Sequence, residues 1–179
     1  MPRAMLLALA LSTFGLAAMA QEEVTVEVTG EIAASCGLVS PTAPVDLGWL
    51  HEKTSHRFSI GIDCNHPFAL ALQSRHGGLR HEGGLALASV ATNGGSGEFL
   101  PYAIDISLPL EDGDTDRIAQ TCASDSIREG GPGCAIPDSG TAIALGQTLD
   151  LELRWQQGGT PLAGGRFVDT LTFTLSVRP

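Results

Sequence analysis

The sequence has few cationic and few aromatic side chains, and both shortages limit its possible functions. Only 10 Lys and Arg residues stand against 20 Asp and Glu, which gives a formal net charge of −10 at pH 7. Because a nucleic-acid-binding surface needs a basic patch, we expect no nucleic-acid partner. Aromatic residues make up 5% of the chain, so the core must consist mainly of Val, Ile, Leu and Ala. With 43% apolar and 17% charged residues, the chain is not a disordered acidic tail.

Long apolar runs are also missing, apart from one at the N-terminus. Residues 1–20 contain one positive charge (Arg3), then an apolar run, then small residues that end with Ala-Met-Ala. This is the pattern of a secretory signal peptide that is cleaved after Ala20. The uninterrupted run is shorter than the ~20 apolar residues that span a bilayer, which argues against a membrane anchor. We therefore predict an exported protein with no membrane span after cleavage.

Motifs of catalysis and of metal binding are absent as well. The sequence has no GxSxG motif, no phosphate-binding loop and no GxGxxG after a predicted strand, which predicts neither catalytic residues nor a cofactor. It has no CxxC or HxxxH spacing, so we predict no metal site. His76 and His81 lie in a glycine-rich stretch and are expected to be solvated. Asp112, Asp114 and Asp116 have calcium-loop spacing, but the glycine and glutamate of such a loop are missing, which favours an ordinary polar turn.

Four cysteines are present, at Cys36, Cys64, Cys122 and Cys134. In an exported protein an even number is typical of disulfides, and four cysteines allow three connectivities. Spacing alone does not select one of them. Cys122 and Cys134 flank a Gly- and Pro-rich stretch, which favours a local disulfide and would leave Cys36 to pair with Cys64.

An alternation of apolar and polar residues recurs along the chain and predicts an all-β protein. The apolar series are Val24, Val26, Val28 and Ile32; Phe58, Ile60, Ile62 and Cys64; Phe68, Leu70 and Leu72; Tyr102, Ile104, Ile106 and Leu108; Leu149, Leu151, Leu153 and Trp155; and Leu171, Phe173, Leu175 and Val177. A weaker series lies at residues 85–90. Strands in this number, separated by Gly- and Pro-rich turns, predict an immunoglobulin-like β-sandwich, with an up-and-down barrel as the alternative. Residues 113–140 alternate little, and we predict a long surface excursion with one helical turn at residues 116–123.

The first of these series has an unexpected member. Gly30 occupies an apolar position, where a glycine weakens a strand and packs no side chain. In one interpretation, Gly30 marks a bulge or a position where another backbone comes close. In a second, it belongs to an extension that fills pockets of another molecule, and the pocket at Gly30 is too shallow for a side chain. A third interpretation is an ordinary first strand of the domain's own sheet. The residues alone do not decide between these interpretations.

Several short motifs follow one another in a fairly specific order. They are the signal peptide, the alternating N-terminal segment, IAASC at residues 32–36, VDLG at residues 45–48, an apolar strand that ends with Cys64, and GGRFVDTLTFTL at residues 164–175. In this order they resemble the spore coat protein U-like family, the pilin-type domains of archaic chaperone–usher pili. The likeness is weak between residues 79 and 146, and the cysteine-bearing excursion has no counterpart in the family pattern.

This resemblance implies a pilin-type β-sandwich that lacks one strand and is completed by donor-strand exchange, in which a neighbour inserts its N-terminal segment. The donor residues would be Val24, Val26, Val28, Gly30 and Ile32. A disulfide between Cys36 and Cys64 would brace the first two strands. The chain would comprise a signal peptide (residues 1–20), a donor extension (residues 21–35) and a sandwich domain (residues 36–179).

The resemblance also implies partners and a location. The partners would be identical or related pilus subunits, a periplasmic chaperone and an outer-membrane usher. The protein would pass through the periplasm to a fibre at the cell surface, of the kind that serves adhesion and biofilms.

Two other functions stay open on the sequence alone. A monomeric secreted adhesion or carbohydrate-binding module of the same fold would pair its N-terminal strand within its own sheet. A secreted enzyme would need a cleft with converging polar groups, to which no motif points. We therefore expect a structural subunit rather than an enzyme.

Overall fold

The structure is a computed structural model and describes residues 27–39, 44–82, 98–156 and 162–178. The chain divides into two compact units, Met1–Ile32 and Ala33–Pro179. The predicted signal peptide, Val24, Val26 and the series at residues 85–90 lie outside the described residues. All strands given below belong to the second unit.

The described part of the second unit consists of β-strands, turns and irregular segments, with no helix. Its strands are β1 (Cys36–Val39), β2 (Ser55–Cys64), β3 (Phe68–Ser74), β4 (Leu79–His81), β5 (Phe99–Leu100), β6 (Tyr102–Pro109), β7 (Arg117–Ala123), β8 (Ala144–Trp155), β9 (Phe167–Val168) and β10 (Leu171–Val177). Nowhere in the described chain is there a helix with the length and apolarity needed to cross a membrane.

Five strands form one antiparallel sheet in the order β1-β2-β8-β6-β7. β8 lies at its centre, where Leu149 is opposite Ile60 of β2 and Leu151 is opposite Ile106 of β6. Because side chains alternate between the two faces of a strand, these residues share one face. All four are buried, so this face forms one side of the core.

The remaining strands form two smaller antiparallel sheets. β3 pairs with β10, and β4 pairs with β5 on one side and β9 on the other. The inward side chains of β3, which are Phe68, Leu70 and Leu72, belong to the same buried apolar cluster as those of the five-stranded sheet. An all-β chain whose antiparallel sheets share one core in this way is consistent with a β-sandwich.

The alternation in the sequence predicted five of these strands correctly, namely β2, β3, β6, β8 and β10. The helical turn predicted at residues 116–123 is wrong, because the chain forms strand β7 there and pairs with β6. The buried residues of β7 are Ile118 and Cys122, and the half-buried Gln120 between them interrupts the apolar series. An outer strand of a sheet tolerates a polar residue at that position. Because Gln120 is polar, the alternation of apolar and polar residues was not recognised in β7.

Candidate functional site

Strand β10 has only one neighbouring strand in the described chain, β3. The N–H of Arg75 donates to the carbonyl of Thr170 at 2.9 Å, and the N–H of Arg178 donates to the carbonyl of Pro67 at 2.8 Å. In an antiparallel pair alternate residues turn their backbone groups toward the partner, so the even-numbered residues of β10 face β3. The backbone groups of the odd-numbered residues therefore face away from β3, along an edge to which no described strand is hydrogen-bonded.

The inward side chains of β10 are incompletely covered. Leu171, Phe173 and Leu175 are half-buried, and Val177 is exposed. The corresponding residues of β3, opposite them in the register, are buried. One layer of the core is therefore covered less well on the β10 side than on the β3 side.

A groove of about 1840 Å³ runs beside this poorly covered strand. Its apolar lining includes Phe58 and Ile60 of β2, Leu153 of β8, and Leu171 and Phe173 of β10. The lining thus comes from both layers, with their apolar side chains facing the same open space. Such a groove can accept an extended segment with apolar side chains at alternate positions.

The loop of residues 44–51 forms one wall of the groove. Within it, the Asp46 carboxylate accepts a hydrogen bond from the N–H of Gly48 at 2.9 Å, and Gly48 has a φ of 71°, a conformation that favours glycine. The buried Trp155 indole donates to the carbonyl of Leu50 at 3.1 Å and ties the loop to β8. Trp49 is 70% exposed and lines the groove. The VDLG motif therefore builds the turn that presents this tryptophan.

At the other end of the groove, Asp169 binds four groups from three parts of the fold. Its Oδ2 accepts hydrogen bonds from Ser74 Oγ at 2.5 Å and from the Tyr102 hydroxyl at 2.7 Å. Its Oδ1 accepts from the backbone N–H groups of His76 at 3.1 Å and Thr170 at 2.8 Å. Asp169 lies two residues before the first residue of β10, so these bonds hold the start of β10 against β3 and β6.

The Tyr102 hydroxyl remains a donor to this carboxylate. Burial raises the pKa of Tyr102 well above its ordinary value, and the hydrogen bond to Asp169 and its negative charge raise the pKa further. Ser74 Oγ is buried and also accepts from the N–H of Gly77 at 2.7 Å, so its hydrogen-bonding capacity is used structurally. The arrangement holds β3, β6 and the start of β10 together.

Sequence reasoning missed Ser74 and Tyr102 as polar partners of Asp169, although both lie on inward positions of alternating series. Ser74 continues the series of Phe68, Leu70 and Leu72, and Tyr102 begins that of β6. A hydroxyl group at an inward strand position needs a hydrogen-bond partner, and that requirement was the available signal.

The predicted donor segment is described only from residue 27 onward. Residues 27–35 form no strand, and Val28 and Ile32 are each 89% exposed. A Cβ added at Gly30 would meet no atom within 4 Å. Val24 and Val26 lie outside the described residues. The role of these five residues as donors stays a prediction.

Both disulfides favoured from the sequence are formed. Cys36–Cys64 links β1 to β2 at directly opposed positions, and Cys122–Cys134 links β7 to the following excursion. Asn65, which follows β2, binds the two backbone groups just before β1. Its side chain accepts from the N–H of Ser35 at 2.8 Å and donates to the carbonyl of Ala33 at 3.0 Å. Two disulfides are typical of a protein that folds in an oxidising, extracytoplasmic compartment.

The expectation that His81 is solvated is wrong. His81 is buried at the end of β4, with its ring edge-on to Phe167 and its Nε2 3.1 Å from the carbonyl oxygen of Gly164. Gly165 makes room for the ring, because a Cβ there would collide with Nε2. His81 thus contacts β9, and the local sequence of the glycine-rich stretch does not reveal this contact. His76 is half-buried, and its backbone binds Asp169.

No cluster of three or more His, Cys, Asp or Glu side chains suited to a metal ion occurs within the described ranges. The carboxylates of Asp112, Asp114 and Asp116 are exposed in a turn in which Asp112 has a φ of 53°. Comparison of the chain with protein-family models, with curated proteins and with solved structures gave no match.

Proposed function

We propose that this protein is an exported structural subunit of a chaperone–usher surface pilus. It polymerises by inserting residues 24–32 of one copy beside β10 of the next. The observation that carries this proposal is the edge of β10, to which no described strand is hydrogen-bonded and which borders an apolar groove. In this view the fold is a pilin-type, immunoglobulin-like sandwich that lacks one strand.

The N-terminal segment has the properties that this groove requires. Residues 24–32 span roughly 30 Å as a strand at ~3.3 Å per residue, which covers the seven residues of β10. Val24, Val26, Val28 and Ile32 would enter the groove, and the intervening Thr and Glu side chains would face solvent. In the described part of the segment, Val28 and Ile32 are exposed and the backbone belongs to no strand. The side chains are therefore available to enter a groove, and the backbone is available to pair with a strand.

The energetics favour a durable joint. Four aliphatic side chains buried at ~1.5–3 kcal/mol each contribute roughly 6–12 kcal/mol before the entropy cost of ordering the segment. Backbone hydrogen bonds to the odd-numbered residues of β10 add to this and fix the register. The same open edge is an aggregation hazard before assembly. A periplasmic chaperone that supplies a temporary strand, and an usher that exchanges it, are therefore the proposed partners.

One observation favours the second candidate, a secreted carbohydrate-binding or adhesion module. Trp49 is largely exposed beside the groove, and its ring lies 5.9 Å from that of His51. An exposed aromatic face of this kind can stack on a sugar ring. That module would bind an oligosaccharide as a monomer, whereas a pilus subunit would bind a peptide strand.

The two tryptophans of the chain provide a direct test. The recipient is the mature protein carrying Val28→Asp and Ile32→Asp, called the donor-strand variant, in which the chain's own segment no longer fits an apolar groove. Adding a peptide of residues 22–34 should shift the fluorescence emission of Trp49 to shorter wavelength and saturate at one peptide per chain. Trp155 is only 2% exposed and should contribute no shift.

Two matched controls define the outcome. Trp49→Phe in the donor-strand variant should bind the peptide without the emission shift. A peptide with Gly30→Leu should bind far more weakly, because the groove is expected to be shallow at that position. If the unmodified peptide does not bind, or if the donor-strand variant polymerises as fast as the wild type, the proposed function is wrong. Binding of oligosaccharides instead of the peptide would support the second candidate.

A further inference from the structure

The two-stranded sheet of β3 and β10 has two outer edges, and the structure treats them differently. The outer edge of β3 is hydrogen-bonded at both ends. The N–H of Phe68 donates to Ser139 Oγ at 2.8 Å, and the N–H of Ser139 donates to the carbonyl of Phe68 at 3.0 Å. The N–H of Ser74 donates to the carbonyl of Ile127 at 2.8 Å, and the N–H of Glu129 donates to the carbonyl of Ser74 at 2.9 Å.

These partners all belong to the excursion that follows β7. Residues 124–140, here called the edge cover, are anchored by the buried side chains of Ser124, Ile127 and Ser139. The Cys122–Cys134 disulfide closes the first part of the edge cover onto β7. The segment predicted as a surface excursion thus contacts both ends of β3, where it occupies outward backbone groups that an added strand would use.

We propose that the edge cover closes β3 to strand addition, so that the sheet accepts a new strand only at β10. An exposed strand edge is a template for pairing with another chain, and proteins block unwanted edges by covering them. A subunit with two open edges could accept two donor strands and would give branched or irregular assemblies. With one open edge, the sheet of β3 and β10 accepts one donor strand, as a linear fibre requires. The proposal rests on the proposed function only for the identity of the strand that joins β10.

The first test opens the edge cover in a background that cannot use the N-terminal segment. In the donor-strand variant, Cys122→Ala with Cys134→Ala should release the edge cover and shift the protein from monomer to oligomers in analytical ultracentrifugation. The matched control is Cys36→Ala with Cys64→Ala in the same background. It also loses one disulfide, but it leaves β3 covered and should remain monomeric. If both disulfide variants behave alike, by staying monomeric or by associating to the same extent, the proposal is wrong.

The second test leaves both disulfides intact and therefore does not depend on the folding of a cysteine variant. Amide hydrogen exchange is followed by NMR in the monomeric donor-strand variant. The amides of Phe68 and Ser74, bonded to the edge cover, should exchange about 100-fold more slowly than those of Phe173 and Leu175, which face the open edge of β10. Equal exchange rates at the two edges would overturn the proposal.

These readouts separate the proposal from the proposed function. Association of the cysteine variant and protection of the β3 amides are both measured without any donor strand. If the 22–34 peptide does not bind beside β10 but the β3 edge behaves as stated, the pilus function fails and the edge cover stands. If the peptide binds and the two edges exchange equally, the pilus function stands and the proposal for the edge cover is wrong.

Discussion

Strands β8 and β10 have the same apolar–polar alternation but occupy opposite situations in the fold. β8 pairs with β2 and β6, and its inward residues Leu149, Leu151 and Leu153 are buried. Among the described strands β10 pairs with β3 alone, and its inward residues are half-buried or, at Val177, exposed. Alternation therefore tells which side chains of a strand point inward, but not whether another layer or strand covers them. That difference leaves the core less well covered on the β10 side than around β8.

The largest expected effect tests this difference directly. In the donor-strand variant, Leu151→Ala should lower the free energy of unfolding by about 2–5 kcal/mol, because it leaves a cavity among buried side chains. Phe173→Ala removes a larger side chain but should cost only about 1–2 kcal/mol, because that ring is already half-exposed. Denaturant unfolding of both variants measures the two values.

The ranking should reverse when peptide binding is measured. Phe173→Ala should weaken binding of the 22–34 peptide at least roughly tenfold, since one buried aromatic contact in the joint is worth more than ~1.4 kcal/mol. Leu151→Ala should change the affinity much less. Equal losses of monomer stability in the two variants would mean that β10 is as well covered as β8, and the comparison would fail.

A middle-sized effect concerns how β10 is held without a second neighbouring strand. Asp169→Asn should lower the free energy of unfolding by about 1–3 kcal/mol, because an amide has one acceptor oxygen and cannot replace both carboxylate oxygens, each of which accepts two hydrogen bonds. Tyr102→Phe, which removes one of these bonds and keeps the carboxylate, is the milder control. Thermal or denaturant unfolding would give the order, and an Asp169→Asn protein as stable as the wild type would contradict this role.

The smallest effect lies on the solvent face of β8. There Arg154 binds the Asp105 carboxylate of β6, with Nη2 2.8 Å from Oδ1, and Thr121 donates to the same carboxylate at 2.5 Å. The hydrogen bond from Arg154 is the main cause that lowers the pKa of Asp105 below its ordinary value, with the Thr121 bond and the charge of Arg154 acting in the same direction. β8 is thus held from both faces, whereas the solvent face of β10 carries only Thr172, Thr174 and Ser176.

The pH dependence of this contact has a defined sign. Because the folded pKa of Asp105 is lowered, its stabilisation is fully present above the ordinary carboxyl pKa and is lost as the pH falls through the lowered value. Asp105→Asn should therefore be slightly less stable than the wild type at neutral pH and equally stable in strong acid. Denaturant unfolding at the two pH values measures this, and a difference that does not shrink in acid would contradict the assignment.

Sequence patterns could predict the long strands because alternation survives wherever one face is buried. They missed β7, whose central Gln120 breaks the apolar series, and they did not identify β1, β4, β5 and β9, which are two to four residues long. The edge cover was not predictable either, because its buried residues are isolated in a stretch with no period. The contacts of His81 with Gly164 and of Asp169 with Tyr102 join residues more than 60 positions apart, which no local pattern encodes.

The composition and the alternation of the sequence did not predict the groove. A half-covered strand and a fully covered strand have the same apolar–polar alternation in sequence. Composition and period therefore could not distinguish β10 from β8. The donor role of the N-terminal segment remains a prediction, and Gly30 is its most informative residue. Its position on the apolar side of an otherwise aliphatic series has no packing explanation within the described chain.

The Cys36–Cys64 bond has a mechanical consequence for any chain that is pulled by its N-terminus. Tension that arrives at Ser35 passes through this covalent bond into the end of β2, so residues 36–64 lie in a closed loop that cannot be extended. β1, a four-residue strand at the margin of its sheet, is then shielded from peeling. The load reaches the sheet through β2, which pairs along most of its length with the central strand β8.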